Sequence, residues 1–526
     1  MIRFRAFFIL VAVTTIIGSG CGDKETPAEN ILALIDSLEQ KLEWVNYRLT
    51  EEQWESYRNG RSDSLSFYNN LYLYLISGNE LYKLALSNNI SDRTDKQRLQ
   101  ILVARTLPDR IEARPALVAF KDSLRAIADS FKVDFQGEEK SLAEVEDTYR
   151  HSRSRSQREL GCRAFYAVGE NLSSGVTRLI KARNEAAAKL GYENYWELAA
   201  SQFAQNGVDI LQLLKAVDSL TQSVNTGFLD EARTGLGVNE LEPWDIPYAH
   251  SQIDRQGDTF FPSDSHYTFV KRGLASVGFN LEKLPIYFEK ANKIDNVFDV
   301  EIFAVRPPHD IRLLTTNQTG FAGIQALLGR TGTALYSAYI AQERPLYNYA
   351  ADPTWHSAMQ EVMAAMAYDS AWLNDVVNLP VGLIKQFRHA KLEEESFRIR
   401  VLLADISFIH EAHVNPEQDL NRLYWNLFQK YTGLPSHEDI IIWSTVPGLM
   451  TDPMIPIRQL LGKAIAAQSI NYMTSYFGPL INNHNTSSFL VQNYFRFGSR
   501  YAWSELLQRG TGEKLNPLHL KKFLES

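Results

Sequence analysis

A mostly helical protein of the all-α class is the fold this sequence predicts, on three observations. Apolar residues recur three and four apart through segment after segment, the spacing that lines one face of a helix. Period-two alternation is confined to one place, either side of Arg306-Pro307-Pro308-His309-Asp310, where it predicts one small β-hairpin. The 526 residues are 45% hydrophobic and 11% aromatic, enough for a large buried core in one unit or two closely packed lobes.

The N-terminus is read apart from the fold. Arg3 and Arg5 precede an apolar run, Ala6–Ile17, that is too short to span a bilayer. Gly18-Ser19-Gly20-Cys21 follows, small residues before a cysteine in the manner of a bacterial lipobox. Residues 1–20 are therefore expected to be a lipoprotein signal peptide, Cys21 the lipidated residue, and 21–30 a tether. The expected location is the bacterial cell envelope, inner or outer membrane, with the lipid as anchor. The second cysteine, Cys162, cannot pair with a lipidated Cys21, so no disulfide is expected. The net charge of −8 argues against nucleic acid as a partner, since polyanion binders carry a basic excess.

Helical spacing begins with Ile31, Leu34, Ile35, Leu38 and Leu42. Tyr68–Leu86, Asp92–Leu107 and Ala116–Phe131 continue it, and their aromatic residues read as core. His151–Arg158 is a small basic patch, read as a solvated loop or helix start. Cys162–Ala200 is helical with a break at Gly191, which suits a C′ position needing positive φ. Val208–Thr234 is amphipathic, Pro243–Asp264 a long loop and Ser265–Val277 a further helix. The hairpin strands fall at Val297–Val305 and Ile311–Thr315. Between Asp310 and Trp372 come an extended run (Asp310–Thr316), a helix (Phe321–Ala341), a loop and a second helix (Thr354–Trp372). Phe387–His413 reads as one long helix. Asn415-Pro416 reads as a new helix start, Asn capping and Pro at the first helical position, with the end before Gly433.

Four stretches in this order resemble a known family. They are Arg183–Ala199 (RNEAAAKLGYENYWELA), the Asp310–Trp372 segment, Asn415–Tyr431 (NPEQDLNRLYWNLFQKY) and Trp443–Gln468 (WSTVPGLMTDPMIPIRQLLGKAIAAQ). Together they resemble the bacterial relatives of angiotensin-converting enzyme, zinc peptidases of the gluzincin type. The resemblance implies a single peptidase-like helical domain over residues 31–526, two-lobed, with a deep central groove. It also implies that a peptide lies along a short edge strand, here Asp310–Thr316.

A gluzincin site needs an HExxH helix, whose two histidines share one helix face and whose glutamate activates the metal-bound water. This sequence has no HExxH. Laid over the family pattern through Gly332, the first histidine position falls on Gly329, the glutamate on Arg330 and the second histidine on Thr333. The third ligand, a glutamate on the next helix, falls on Ser357, 24 residues after Thr333. Hydrogen and neutral hydroxyls are no match for imidazole and carboxylate as zinc ligands. Arg330 adds a cation where a cation would sit, and two unit charges ~4 Å apart repel by ~4 kcal/mol at an effective dielectric near 20. The transition-state groups that the resemblance implies are missing too, with Val446-Pro447-Gly448 and Pro453–Arg458 at their positions.

One carboxylate survives a turn beyond Ser357, and an Arg330–Glu361 ion pair in the former metal site is expected, neutralising Glu361 or leaving Arg330 to hold a ligand carboxylate. His309, Asp310 and His356 are candidates for the groove. His410 and His413 are three apart at a helix end and read as structural; no GxSxG motif occurs, and Cys162 has no recognisable histidine partner motif. The expected function is a catalytically inactive, peptidase-like lipoprotein without zinc or another cofactor, holding a peptide or protein partner in the groove. The alternatives are an active metallopeptidase with an unusual metal site and a purely structural envelope lipoprotein.

Overall fold

A computed structural model describes residues 28–60, 62–76, 92–290, 300–315, 319–349 and 352–526. The signal segment, Cys21 and most of the tether lie outside the described residues, as does much of the Tyr68–Leu86 stretch. No helix among the described residues is long and apolar enough to cross a membrane.

The chain is mostly helical. It opens with a 32-residue helix, α1 (Ala28–Asn59), followed by α2 (Leu65–Ile76), α3 (Arg93–Glu112) and α4 (Pro115–Ser130). A two-stranded hairpin follows, β1 (Lys132–Phe135) with β2 (Glu138–Ser141), which sequence reading did not anticipate. Its turn needs positive φ at Gln136 (61°) and Gly137 (84°). Then come α5 (Leu142–His151), α6 (Arg155–Tyr166), α7 (Val168–Ala188), α8 (Tyr195–Ala204), α9 (Ile210–Leu236), α10 (Ile246–Gly257) and α11 (Ser263–Ser276). Gly191 does take positive φ (89°) beyond the end of α7. The basic patch is only partly solvated: Arg158 is buried, and both it and Arg155 bond to the buried Asp245.

The second sheet is larger than the expected hairpin. Strands β4 (Val300–Arg306) and β5 (Asp310–Thr315) pair antiparallel, and β3 (Ile286–Lys290) adds in parallel to β5, giving the order β3-β5-β4. Strand β5 is thus central. The edges are β3 and β4, which corrects the expectation that a peptide would find its edge at Asp310–Thr316.

Beyond the sheet run α12 (Gly320–Ala338), α13 (Pro345–Tyr349) and α14 (Pro353–Ala364), then short 3₁₀ and π turns through Val377. The long helix is α15 (Val381–Val414). Helix α16 (Leu420–Thr432) is capped by Asp419, not Asn415; the Asn415 side chain instead accepts from the Glu417 N–H in the preceding turn. It ends at Gly433 with φ of 81°, as the sequence led one to expect. Last come α17 (Ile455–Phe477), α18 (Asn485–Asn493), α19 (Trp503–Thr511) and α20 (Leu518–Leu524). One continuous core joins residues from Leu107 to Leu524. The front of the chain packs separately: α1, α2 and α3 share a small cluster, and Trp54 of α1 sits with Phe303, Val305 and Leu314 of the sheet.

Candidate functional site

A groove of about 680 Å³ lies between α1 and the edge strand β4. One face of α1 forms its first wall, with Gln40, Trp44, Tyr47 and Gln53 among the lining side chains. Residues 301–307 form the opposite wall, and Ser337, Asn348 and His356 also line it. Helix α1 is held against the strand by apolar contact. Trp54 and Tyr57 each meet the Phe303 ring edge-on at 5.4 Å, and Arg312 lies over Trp54.

Beside this groove, α12 and α14 pack closely. A Cβ at Gly332 would meet the Met359 carbonyl and the Met363 side chain, and one at Gly329 would come within 2.9 Å of Gln360 Cγ. Those glycines let the backbones approach, and no side chain projects from Gly329 into the space that an imidazole would need. Thr333 is buried. Ser357 turns toward a third helix, against Gly462 of α17. The residue of α14 that faces Gly329 is Gln360, which sequence reading passed over.

Arg330 reaches across to the sheet. Its Nε donates to the Val300 carbonyl (3.3 Å), its Nη1 donates to Gln360 Oε1 (3.1 Å), and its Nη2 lies 3.8 Å from Glu301 Oε2. Burial pushes the Glu301 carboxyl up, and Arg330 pulls it partly back. The expected Arg330–Glu361 pair does not form. Glu361 projects from another face of α14 and accepts from Lys463 of α17, at 3.1 Å to each oxygen. Lys463 also bonds to Glu395 of α15 at 2.5 Å. The helical period separates the two acceptors: residues 360 and 361 are about 100° apart around α14. A lysine in the apolar run Gly462-Lys463-Ala464-Ile465-Ala466-Ala467 was the signal for this buried network, because such a cation needs a partner.

The other candidates divide. His356 lines the groove, with its ring 5.4 Å from Tyr336. His309 is an exposed turn residue whose N–H donates to the Arg306 carbonyl, and Asp310 pairs with Arg312 at 2.6 Å; neither lines the groove. His413 is fully buried, with Nδ1 2.8 Å from the Ile409 carbonyl, and burial lowers its pKa to about 4. The Val446–Arg458 stretch is held elsewhere: buried Arg183 donates to the Leu449 and Thr451 carbonyls, and Arg458 pairs with Asp452.

The donor set therefore does not fit zinc of the gluzincin type. The three ligand positions carry a glycine packed on Gln360, a buried threonine and a serine turned to α17, and the base position carries a guanidinium bound to β4. No catalytic step through such an ion follows from these residues.

A model of peptidase family M3 matches residues 148–306. Among solved structures, PZ peptidase A with an inhibitor superimposes with a TM-score of 0.68 at 14% identity, covering 96% of this chain and 99% of that one. A protein described as oligoendopeptidase F superimposes at 0.65 and 15% identity, covering 97% and 98%. A sequence comparison with curated proteins returned no match. The gluzincin-type peptidase fold expected from the sequence is supported, but the angiotensin-converting-enzyme-like assignment is corrected. This chain has the fold of M3-type oligopeptidases along nearly its whole length, and its likeness to their family sequence lies in residues 148–306.

Proposed function

We propose that the chain is a catalytically inactive relative of zinc oligopeptidases that holds a peptide or a protein segment in the groove between α1 and β4. The observation that carries this reading is the fate of four positions. Gly329, Arg330, Thr333 and Ser357 stand where the peptidase pattern has its ligands and base, and Arg330 is engaged by Val300, Glu301 and Gln360. Without those donors, these residues cannot generate the metal-bound hydroxide on which such hydrolysis relies. The recognition half of the site remains. Strand β4 is a sheet edge, whose main-chain groups suit an added strand, and Trp44, Tyr47 and the amide side chains around them suit an extended peptide. In this reading the N-terminal lipid on Cys21 tethers the groove to the cell envelope.

The test joins peptide capture to metal analysis. The purified protein is screened against an array of extended peptides, and the bound peptides are recovered and weighed by mass spectrometry. Intact peptides, with capture weakened by W44A and Y47A, are the expected result. Cleaved peptides, together with zinc that is lost on substituting His356 or Glu361, would establish the active-metallopeptidase alternative instead. Failure of every peptide to bind would leave the structural-lipoprotein alternative.

A further inference from the structure

Away from the groove, three side chains converge between α9 and α15. His389 and Glu393 stand one helical turn apart on α15, and Glu231 reaches them from α9. His389 Nε2 lies 3.2 Å from Glu231 Oε1 and 3.5 Å from Glu393 Oε1. One ligand atom from each residue can be chosen so that all lie within 4.8 Å of one another. Donors around a tetrahedral ion at ~2.0–2.2 Å stand about 3.3–3.6 Å apart; the two His389 distances already match that spacing, and the two carboxylates close to it when an ion is bound.

The surroundings of Glu393 are a second observation: its side chain is only 12% exposed. The next two residues, Glu394 and Glu395, are buried acids, but each has a permanent cation. Glu394 bonds to Lys391 and Arg398, and Glu395 bonds to Lys463. Among the described residues no lysine or arginine forms an ion pair with Glu393, and the nearest charge besides the imidazole is another carboxylate. Two carboxylates and an imidazole thus meet with no fixed positive charge to balance them.

We propose that Glu231, His389 and Glu393 bind a divalent transition-metal ion of the zinc class, which clamps α9 to α15. The imidazole nitrogen selects zinc over calcium or magnesium, which prefer all-oxygen shells. The ion's double charge balances both carboxylates, and water completes its coordination. The site does not depend on the groove reading, because no residue of α12 or α14 takes part in it.

The full chain, stripped with a chelator, is titrated with zinc chloride by calorimetry, and its thermal unfolding is followed with and without zinc. Wild type should take up a single equivalent and melt at a higher temperature when loaded. H389Q and E393Q should each weaken uptake roughly tenfold or more, while H356A and E361Q should leave it unchanged. His389 is more than half exposed, so H389Q keeps the fold, which circular dichroism verifies. The proposal is overturned if wild type binds no more zinc than H389Q, or if the equivalent survives both substitutions. A second equivalent, lost on substituting His356 or Glu361 and kept in H389Q, would overturn the groove reading and leave this site standing.

Discussion

Two faces of α14 treat charge in opposite ways. Toward α12 the contact is built from small and neutral groups: Gly329, Gly332 and the Gln360 amide, with Arg330 at its margin. Toward α15 and α17 the same helix presents Glu361 to Lys463, which in turn binds Glu395. Glu394 continues the network with Lys391 and Arg398. The protein therefore tolerates buried charge in this region where a cation balances it, from a neighbouring helix for Glu361 and from the same helix for Glu394. What it lacks are charged and imidazole donors at the four positions where a peptidase would need them. Under the proposed function this one-sidedness fits a site closed over by helix packing, because a general drift toward an apolar interior would have thinned both faces.

The largest effect is expected on the charged face. Removing Lys463 as K463M strands Glu361 and Glu395, and breaking a buried pair by deleting one partner costs roughly 3–5 kcal/mol. Denaturant unfolding should show this loss, and it should be greater at pH 8 than at pH 5, since burial already raises the Glu361 carboxyl and its stranded form takes up a proton as pH falls. Adding E361Q and E395Q should recover much of it. A K463M variant as stable as wild type would break the comparison, since the network would then be incidental.

Asp405 sharpens it next. This acid lies on α15 but has no cation partner among the described residues: it accepts from Tyr424 at 3.2 Å, and burial pushes its carboxyl from an ordinary 3.8 to about 7. Its folded-state value is raised, so the stabilisation it offers is full below about pH 4 and is lost as pH rises through 7. Glu394 is the reverse case, held well below the usual range chiefly against the cost of burial by Arg398 and Lys391. D405N should be more stable than wild type by a few kcal/mol at pH 8 and no more stable at pH 4. Parallel unfolding curves for the two proteins across this range would show that Asp405 ionises freely in the fold.

How much of this was legible in the sequence follows from the range of the forces involved. Helix periodicity, Gly191 and Gly433 are local signals, and they placed most helices within a few residues. The β1–β2 hairpin was missed because its Gln136-Gly137 turn sits in a short polar run without long alternation. Strand β3 was missed because parallel pairing with β5 joins segments distant in sequence. The packing of Gly329 and Ser357 was only half legible: the sequence offers the residue types, and the folded helices decide that one meets Gln360 and the other Gly462. The partner of Arg330 was not legible, because one step along α14 decides between Gln360 and Glu361, and only the packed helices fix that rotation.

The neutral face predicts smaller effects that depend on position. A methyl at Gly332 meets the Met359 carbonyl, which cannot turn aside, so G332A should cost about 1–3 kcal/mol by overpacking. A methyl at Gly329 meets the movable Gln360 side chain, and alanine's helix propensity returns up to ~1 kcal/mol, so G329A should be nearly neutral. Thermal unfolding of the two variants side by side checks the order. If G329A were the more damaging, the tightest approach of α12 to α14 would not be at Gly332.

Arg330 has only a modest effect on stability, although it stands at the proposed base position. Its side chain is 33% exposed and its contact with Glu301 is 3.8 Å, so solvent screens most of the ion pair. The remaining bonds, to Val300 and Gln360, contribute on the order of 1 kcal/mol or less each. R330M should therefore lower stability by about 1–2 kcal/mol. The more telling variant is R330E, which restores the family's acid and removes the opposing charge in a single change. If repulsion by Arg330 were all that kept a metal out, R330E would gain zinc; measured in an H389Q background, it should gain none, because Gly329, Thr333 and Ser357 still supply no donor to hold an ion there.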